Sequence, residues 1–358
     1  MLLKAGSIVI LLLAVIYAYP QKEDARSFDV QKVADGVYAV IRREPASFWF
    51  NANNVFVVGK NDVIVVDANL TTAYTKEVIA ALREITDKPV KYVINTHWHE
   101  DHIIGNRAYR EAYPDVKFVG HRSTLKDLPE IGGANRQGSL KNGRGFVGML
   151  EANLEKGESI ASGLITDEER AGYASDIKFV SSYLAESSTF EIVMPDVLVD
   201  DRLEFDQDGR KVEIRFFGRA HTGADLVVYL PKEKIAVTGD LTVYPVPLLG
   251  STSYPLEYAT TLEKLKALGA RTCIPGHGPV MKDDSYLDKM IALATAVRDR
   301  SRAAYKAGET VEQMRAKIDL ADQQKVFAGD SRHRGFIFRN YVTLPATTAA
   351  FKHLGEGK

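Results

Sequence analysis

The stretch NTHWHEDHIIGN, Asn95 to Asn106, places three of the chain's eight histidines, with Glu100 and Asp101, inside the six positions from His97 to His102. Just upstream, Val90 to Ile94 (VKYVI) is a β-branched and aromatic run that reads as a buried strand. The cluster therefore sits where a strand ends. In extended backbone alternate residues point the same way, so His97, His99 and Asp101 can converge on one spot. His102 joins them only where the chain turns. Neutral imidazoles and a carboxylate brought together in this way form a ligand set for a borderline metal such as zinc. The alternative, a polar turn with incidental histidines, fits this density of histidine and aspartate poorly.

A site built from this cluster alone would be crowded and incomplete, and isolated ligand types recur at the ends of other strand patterns. GRAHTGAD places His221 among glycines after VEIRFF, VTGD puts Asp240 directly after KIAV, and IPGHGPV sets His277 between two glycines. Glycine beside a ligand lets backbone approach a crowded centre and take unusual dihedrals. Singly, each has a plain structural reading, as a surface or core histidine or a turn-capping aspartate. Together they supply five nitrogen and two oxygen ligands, enough for two metal ions.

H-x-H-x-D-H, then a glycine-flanked histidine, a strand-terminal aspartate and P-G-H-G, resembles the metallo-β-lactamase-fold hydrolases over about residues 30 to 285. The resemblance implies an α/β fold, an αββα sandwich with a dinuclear site at one edge of its sheets. By it, His97, His99 and His221 hold one metal, Asp101, His102 and His277 hold the second, and Asp240 bridges them. The expected cofactor is two zinc ions per chain. Lactamases with a cysteine ligand carry it where this chain has Asp240; the lone Cys273 lies within a strand pattern and reads as a small core residue. The bridging aspartate is instead the glyoxalase-II-like pattern, whose members hydrolyse thioesters. The 119 positions from His102 to His221 exceed what those relatives need, so no substrate pocket transfers from either group.

The excess is a block from about Ser123 to Met194 that reads largely as helix, with Thr166 and Glu169 in capping-box spacing. It looks like a helical insertion in a fold running from about residue 28 to 358, with a helical extension from about residue 285. The remaining pattern is strand-rich. Gly36 to Arg43, Asn53 to Gly59 and Val63 to Leu70 read as strands, the last two as a hairpin. Thr71 to Glu84 reads as a helix capped by Thr71 or Thr72. Hairpin and strand patterns resume at RLEFDQDGRKVEIRFFG, DLVVYLP and KIAVTGD. Two sheets packed together and covered by helices account for this order.

At the N-terminus, fourteen uncharged residues from Ala5 to Ala18 follow Lys4, too few to span a bilayer comfortably. They fit a secretory signal over residues 1 to 18, cleaved after Ala18, and predict export to a periplasmic or extracellular space. An uncleaved anchor is the alternative, and the only route to membrane contact. Cleavage leaves 45 basic against 47 acidic residues, a balance that gives no hint of nucleic acid. One cysteine excludes an intrachain disulfide.

Two adjacent divalent ions can share a hydroxide that is nucleophilic at neutral pH, because coordination lowers the pKa of water from about 16 to near 7. Asp101 binds through one oxygen and can orient that hydroxide with the other, which makes it the candidate catalytic carboxylate. The implied activity is hydrolysis of a small-molecule ester, thioester, lactone or amide-type carbonyl. A β-lactamase is one alternative; a mononuclear iron sulfur-oxidising enzyme or a non-catalytic metal binder is another. Asp67 is read either as a carboxylate orienting a metal-bound histidine or as a helix cap, and Glu100 as pointing away. Phe48, Trp49 and Phe50 are candidate substrate contacts because the corresponding loop often overhangs the site in this family, and Tyr244 is a candidate because it lies near Asp240. His121 and His333 read as structural. The helical block serves either as a lid or as an interface between copies of a homo-oligomer.

Overall fold

The computed structural model describes residues 26–356, so the expected signal segment lies outside the described residues. The β-branched runs build two sheets. The first follows chain order: β1 (Phe28–Ala34), β2 (Val37–Arg42), β3 (Asn54–Val58), β4 (Val63–Val66), β5 (Val90–Ile94), β6 (Lys117–His121) and β7 (Val197–Val199). β1 to β4 pair antiparallel in succession, and β4 to β7 are mutually parallel. The second sheet holds β8 (Arg202–Gln207), β9 (Arg210–Phe216), β10 (Leu226–Leu230), β11 (Ile235–Val243) and β12 (Thr272–His277), with β11 and β12 parallel.

Alternation along each strand sorts side chains to two faces. Inward, Val37, Val55, Val57, Ile64 and Val66 meet Val212, Ile214, Val228, Val237 and Ile274 of the second sheet. Outward, Val40, Phe56 and Val65 pack on Val78, Ile79 and Leu82 of the helix Thr72–Ile85. The other outer face carries Val227, Tyr229 and Ala236, covered by Leu262 of the helix Tyr258–Lys266 and by Leu293 and Val297 of the helix Ser285–Lys306. The order of layers is helix, sheet, sheet, helix, as expected. Both faces of the central strands are apolar because each sheet is covered twice, and each buried Val or Ile contributes about 1.5–3 kcal/mol. Among the described residues no helix is long and apolar enough to cross a membrane.

The residues from 123 to 194 enter between β6 and β7, which still pair directly through Val119 and Val197. Within that stretch the helices Gly133–Lys156 and Asp167–Glu186 lie together, with Gly143 facing Val180 and Leu184. The second starts at the expected capping box of Thr166 and Glu169. Two strands escape the sequence pattern. β1 (FDVQKVA) is polar at alternate exposed positions and pairs only with β2, and β7 is three residues long. Asp240 also differs from expectation: it lies within β11, which runs on to Val243 through a register shift around Gly239.

Ile64 is enclosed between the sheets at 1% exposure. Ile64→Ala is expected to lower unfolding free energy by about 2–5 kcal/mol in urea titration. A loss under about 1 kcal/mol would show that the inter-sheet contact is not what holds the layers together.

Candidate metal centre

Three strands and one loop deliver the seven ligand-type side chains to a single point. His97 and His99 follow β5, and His99, in extended backbone, is the residue before a single helical turn, Glu100–Ile103. That turn swings His102 back under His97, their rings 4.2 Å apart. His221 comes from the loop between β9 and β10, Asp240 from the bulged part of β11, and His277 ends β12. Potential ligand atoms fall into two sets, His97, His99, His221 and Asp240, and Asp101, His102 and His277. All seven residues expected as ligands fall in these two sets.

The Asp240 carboxylate joins the sets. Its Oδ1 is 3.3 Å from Nε2 of both His102 and His277, and its Oδ2 is 3.5 Å from His221 Nε2 and 4.0 Å from His97 Nε2. Asp101 Oδ2 is 3.1 Å from His277 Nε2 and 3.3 Å from His102 Nε2. None of these contacts has hydrogen-bond geometry: Nε2 of His97, His102 and His277, Asp101 Oδ2 and Asp240 Oδ1 are all buried without a partner. An unpaired buried polar atom costs about 1–3 kcal/mol. Five of them converging on one spot make physical sense around cations, and imidazole with carboxylate is the donor chemistry of zinc and its neighbours.

The far side of each ring is pinned, which selects the atom that faces the centre. His102 Nδ1 is 2.9 Å from Asp67 Oδ2, and Asp67 also accepts from the Thr96 amide and hydroxyl. The two readings of Asp67 are thereby separated, since the following helix is capped by Thr71 instead. His221 Nδ1 donates to the Leu248 carbonyl and His277 Nδ1 to that of Asn51. His99 is turned the other way, with Nε2 against the Thr252 hydroxyl and Nδ1 facing the centre. Leu248, Asn51 and Thr252 were not singled out from sequence. Backbone carbonyls carry no residue signature, and Thr252 lies in an irregular loop.

Burial keeps His97 and His99 as neutral imidazoles, with His99 brought down to about 3. Burial opposes protonation of His277 too, but Asp240 and Asp101 beside it push it up to about 9. For Asp240 the penalty of burial is outweighed by His277 and His102, which hold it well below the usual carboxylate range.

Above the two sets opens a chamber of about 370 Å³. Phe48, Trp49 and Phe50 form one wall as anticipated, the Phe50 ring lying 4.3 Å from that of His277. Tyr244 does not reach this chamber. It is 45% exposed and lines a neighbouring cavity of about 430 Å³ beyond Phe50. Cys273 sits away from the centre, beside the Thr238 and Thr242 hydroxyls.

The helical insertion holds both the metal loop and the aromatic wall. Glu100 points away from the ligands, and its two oxygens accept from Arg136 Nε and the Tyr183 hydroxyl, one on each insertion helix. Asp176 accepts from the Ser47 hydroxyl and the Phe48 and Trp49 amides. From the C-terminal helices, Tyr341 donates to the Phe48 carbonyl, and His333 Nε2 is 3.0 Å from the Ala46 carbonyl. His333 and His121 are structural as expected; His121 stacks on Phe216.

Asp67→Asn removes a charged acceptor from His102 and is expected to weaken metal binding about 10–100-fold in a competitive chelator titration; unchanged affinity would confine Asp67 to folding. Burial pushes the Asp176 carboxyl up to about 7 against its hydrogen-bond donors. A carboxyl raised in the folded state contributes stability at low pH and loses it as pH rises through the folded value. The melting temperature of the parent should therefore fall relative to Asp176→Asn as pH rises from about 4 to about 7. A difference that stays flat across that window would contradict this.

The metallo-beta-lactamase superfamily model matches residues 48–277. The chain is 24% identical over 262 residues to a linear primary-alkylsulfatase from a Pseudomonas strain, covering 70% of this chain and 45% of that protein. It is also 24% identical over 275 residues to the beta-lactamase-like protein 2 homolog of Caenorhabditis elegans, covering 72% and 68%. It thus spans under half the length of the alkylsulfatase. In fold it is similar to a metallo-beta-lactamase from Pontibacter korlensis, with a TM-score of 0.51 at 20% identity over 75% of this chain and 99% of that one. A metallo-beta-lactamase from Erythrobacter litoralis gives 0.50 at 18%, over 75% and 96%. Two facing sheets between helices, ligand residues gathered at their edge, and a family match across almost two thirds of its length make this chain a member of the metallo-beta-lactamase superfamily.

Proposed function

We propose that the protein is a hydrolase holding two zinc ions per chain, which cleaves an ester, thioester, lactone or amide-type carbonyl. The observation that carries this reading is the convergence of three unpartnered buried imidazole nitrogens, Nε2 of His97, His102 and His277, on the two oxygens of Asp240. His97, His99 and His221 with Asp240 Oδ2 would hold one ion, and Asp101, His102 and His277 with Asp240 Oδ1 the other. Bound there, the ions would supply an activated water at neutral pH and Lewis-acid contact to the carbonyl oxygen.

The chain's own residues do the rest. Asp67, Leu248 and Asn51 fix imidazole orientation, so the donor geometry is set before substrate arrives. Asp101 both faces His277 and lines the chamber, placing it to orient the attacking water and relay its proton. The aromatic wall excludes bulk water from the reacting bond.

The superfamily match, together with relatives named an alkylsulfatase and a beta-lactamase-like protein, supports hydrolysis as the reaction class. Asp240 in place of a cysteine favours the thioester and ester reading over the cysteine-ligand lactamases. The second set of Asp101, His102 and His277 favours a dinuclear over a mononuclear iron centre. We read the apolar N-terminal stretch as an export signal, testable by fractionation of cells expressing the full chain.

The direct test is turnover by purified zinc-loaded protein on a thioester, a lactone, an aryl ester and a chromogenic cephalosporin, each with and without chelator. A chelator-sensitive rate highest on a thioester, lactone or ester is expected, and Asp101→Ala should lower kcat by about 100-fold or more. Dominance of the cephalosporin would make it a lactamase. No turnover, with one iron per chain, would overturn the hydrolase reading.

A further inference from the structure

The chamber above the ligand sets has a composition that restricts what can lie in it. Its walls come chiefly from the loop carrying Phe48, Trp49 and Phe50, the loop after β11 carrying Leu248, and the C-terminal helices carrying Tyr341, with Leu70 and Asn135 completing them. Outside the ligand sets, the polar groups that line it are uncharged amides and hydroxyls, Asn135, Asn340 and Thr252 among them. Among the described residues, no lysine or arginine lines it, and its two acids, Asp101 and Asp240, belong to the ligand sets. The nearest cation along the chain from Asn135, Arg136, is taken by Glu100. Arg339, beside Asn340, is exposed and forms no part of the wall.

From this we propose, resting on the hydrolase reading above, that the substrate's arm away from the bond to be cut is apolar and uncharged. An anionic arm would give up its hydration against ring carbons with no lysine or arginine in the wall to pair it, and would compete with the reacting carbonyl for the ions. A cationic arm would face two divalent ions across the same chamber. An alkyl or aryl arm instead buries its surface on Phe48, Trp49 and Phe50 and gains roughly 25 cal/mol per Å² of apolar area. At about 370 Å³ the chamber lies in the range that encloses one small organic molecule. The class assigned is therefore a neutral acyl compound with a compact hydrophobic arm, and compounds with a carboxylate remote from the reacting carbonyl are excluded.

The test is a matched pair of aryl esters of equal chain length, one ending in methyl and one in carboxylate, assayed on the zinc-loaded full chain. The methyl ester should have kcat/KM at least about tenfold higher. Asn340 is exposed at the mouth, so Asn340→Arg should keep the fold, narrow that gap, and do so through KM for the carboxylate ester. Equal rates, or preference for the carboxylate ester, would overturn the proposal while leaving the hydrolase reading intact. Binding is read independently of turnover through tryptophan fluorescence, since Trp49 lines the chamber. A primary alcohol should change it at concentrations where the ω-hydroxy carboxylate of the same length does not. If neither ester is cleaved but the alcohol alone binds, the hydrolase reading fails and the pocket assignment stands; if the hydroxy carboxylate binds as well or better, the assignment fails.

Discussion

The Asp240 carboxylate is the interaction on which the rest of the centre depends. One of its oxygens faces His102 and His277, the other His97 and His221, so both ligand sets are referred to a single rigid group. Two glycines make room for it. A β-carbon on Gly276 would lie 1.9 Å from Asp240 Oδ1. Gly239 holds φ at +50°, and a β-carbon there would meet the Thr96 hydroxyl at 2.4 Å, the same hydroxyl that donates to Asp67. The glycines of VTGD and PGHG are thus part of the centre's geometry as much as the ligands they flank.

Much of this centre was legible because metal ligation is local chemistry. Three histidines and an aspartate at the end of a β-branched run announce themselves, and glycine-flanked His221 and His277 complete the count. What was not legible is what arrives anonymously. The carbonyls of Leu248 and Asn51 orient two of the imidazoles, yet any residue could supply them. β1 is a half-polar edge strand and β7 a three-residue one, so neither carries enough apolar periodicity to be read as a strand. In the sequence Asp240 follows the strand pattern KIAV; in the structure Gly239 marks a shift in register and the strand continues to Val243.

The insertion shows a different limit. Its helices were readable from caps and spacing, but their role rests on long-range pairs: Arg136 and Tyr183 on Glu100, and Asp176 on Ser47, Phe48 and Trp49. Through them one inserted helical pair holds the loop that carries the ligands and the loop that walls the chamber. The superfamily match spans the ligand-type residues, while the C-terminal helices that help wall the chamber lie beyond it. The ligands come from the strands of the sandwich and the β9–β10 loop, the walls mostly from the β2–β3 loop, the loop after β11 and the C-terminal helices.

The account is tested most directly by crystal diffraction from zinc-soaked protein on both sides of the zinc absorption edge. It predicts two anomalous peaks per chain, one among His97, His99 and His221 and one among Asp101, His102 and His277, with Asp240 in contact with both. A single peak confined to the first three histidines, with the second set still empty at saturating zinc, would contradict it.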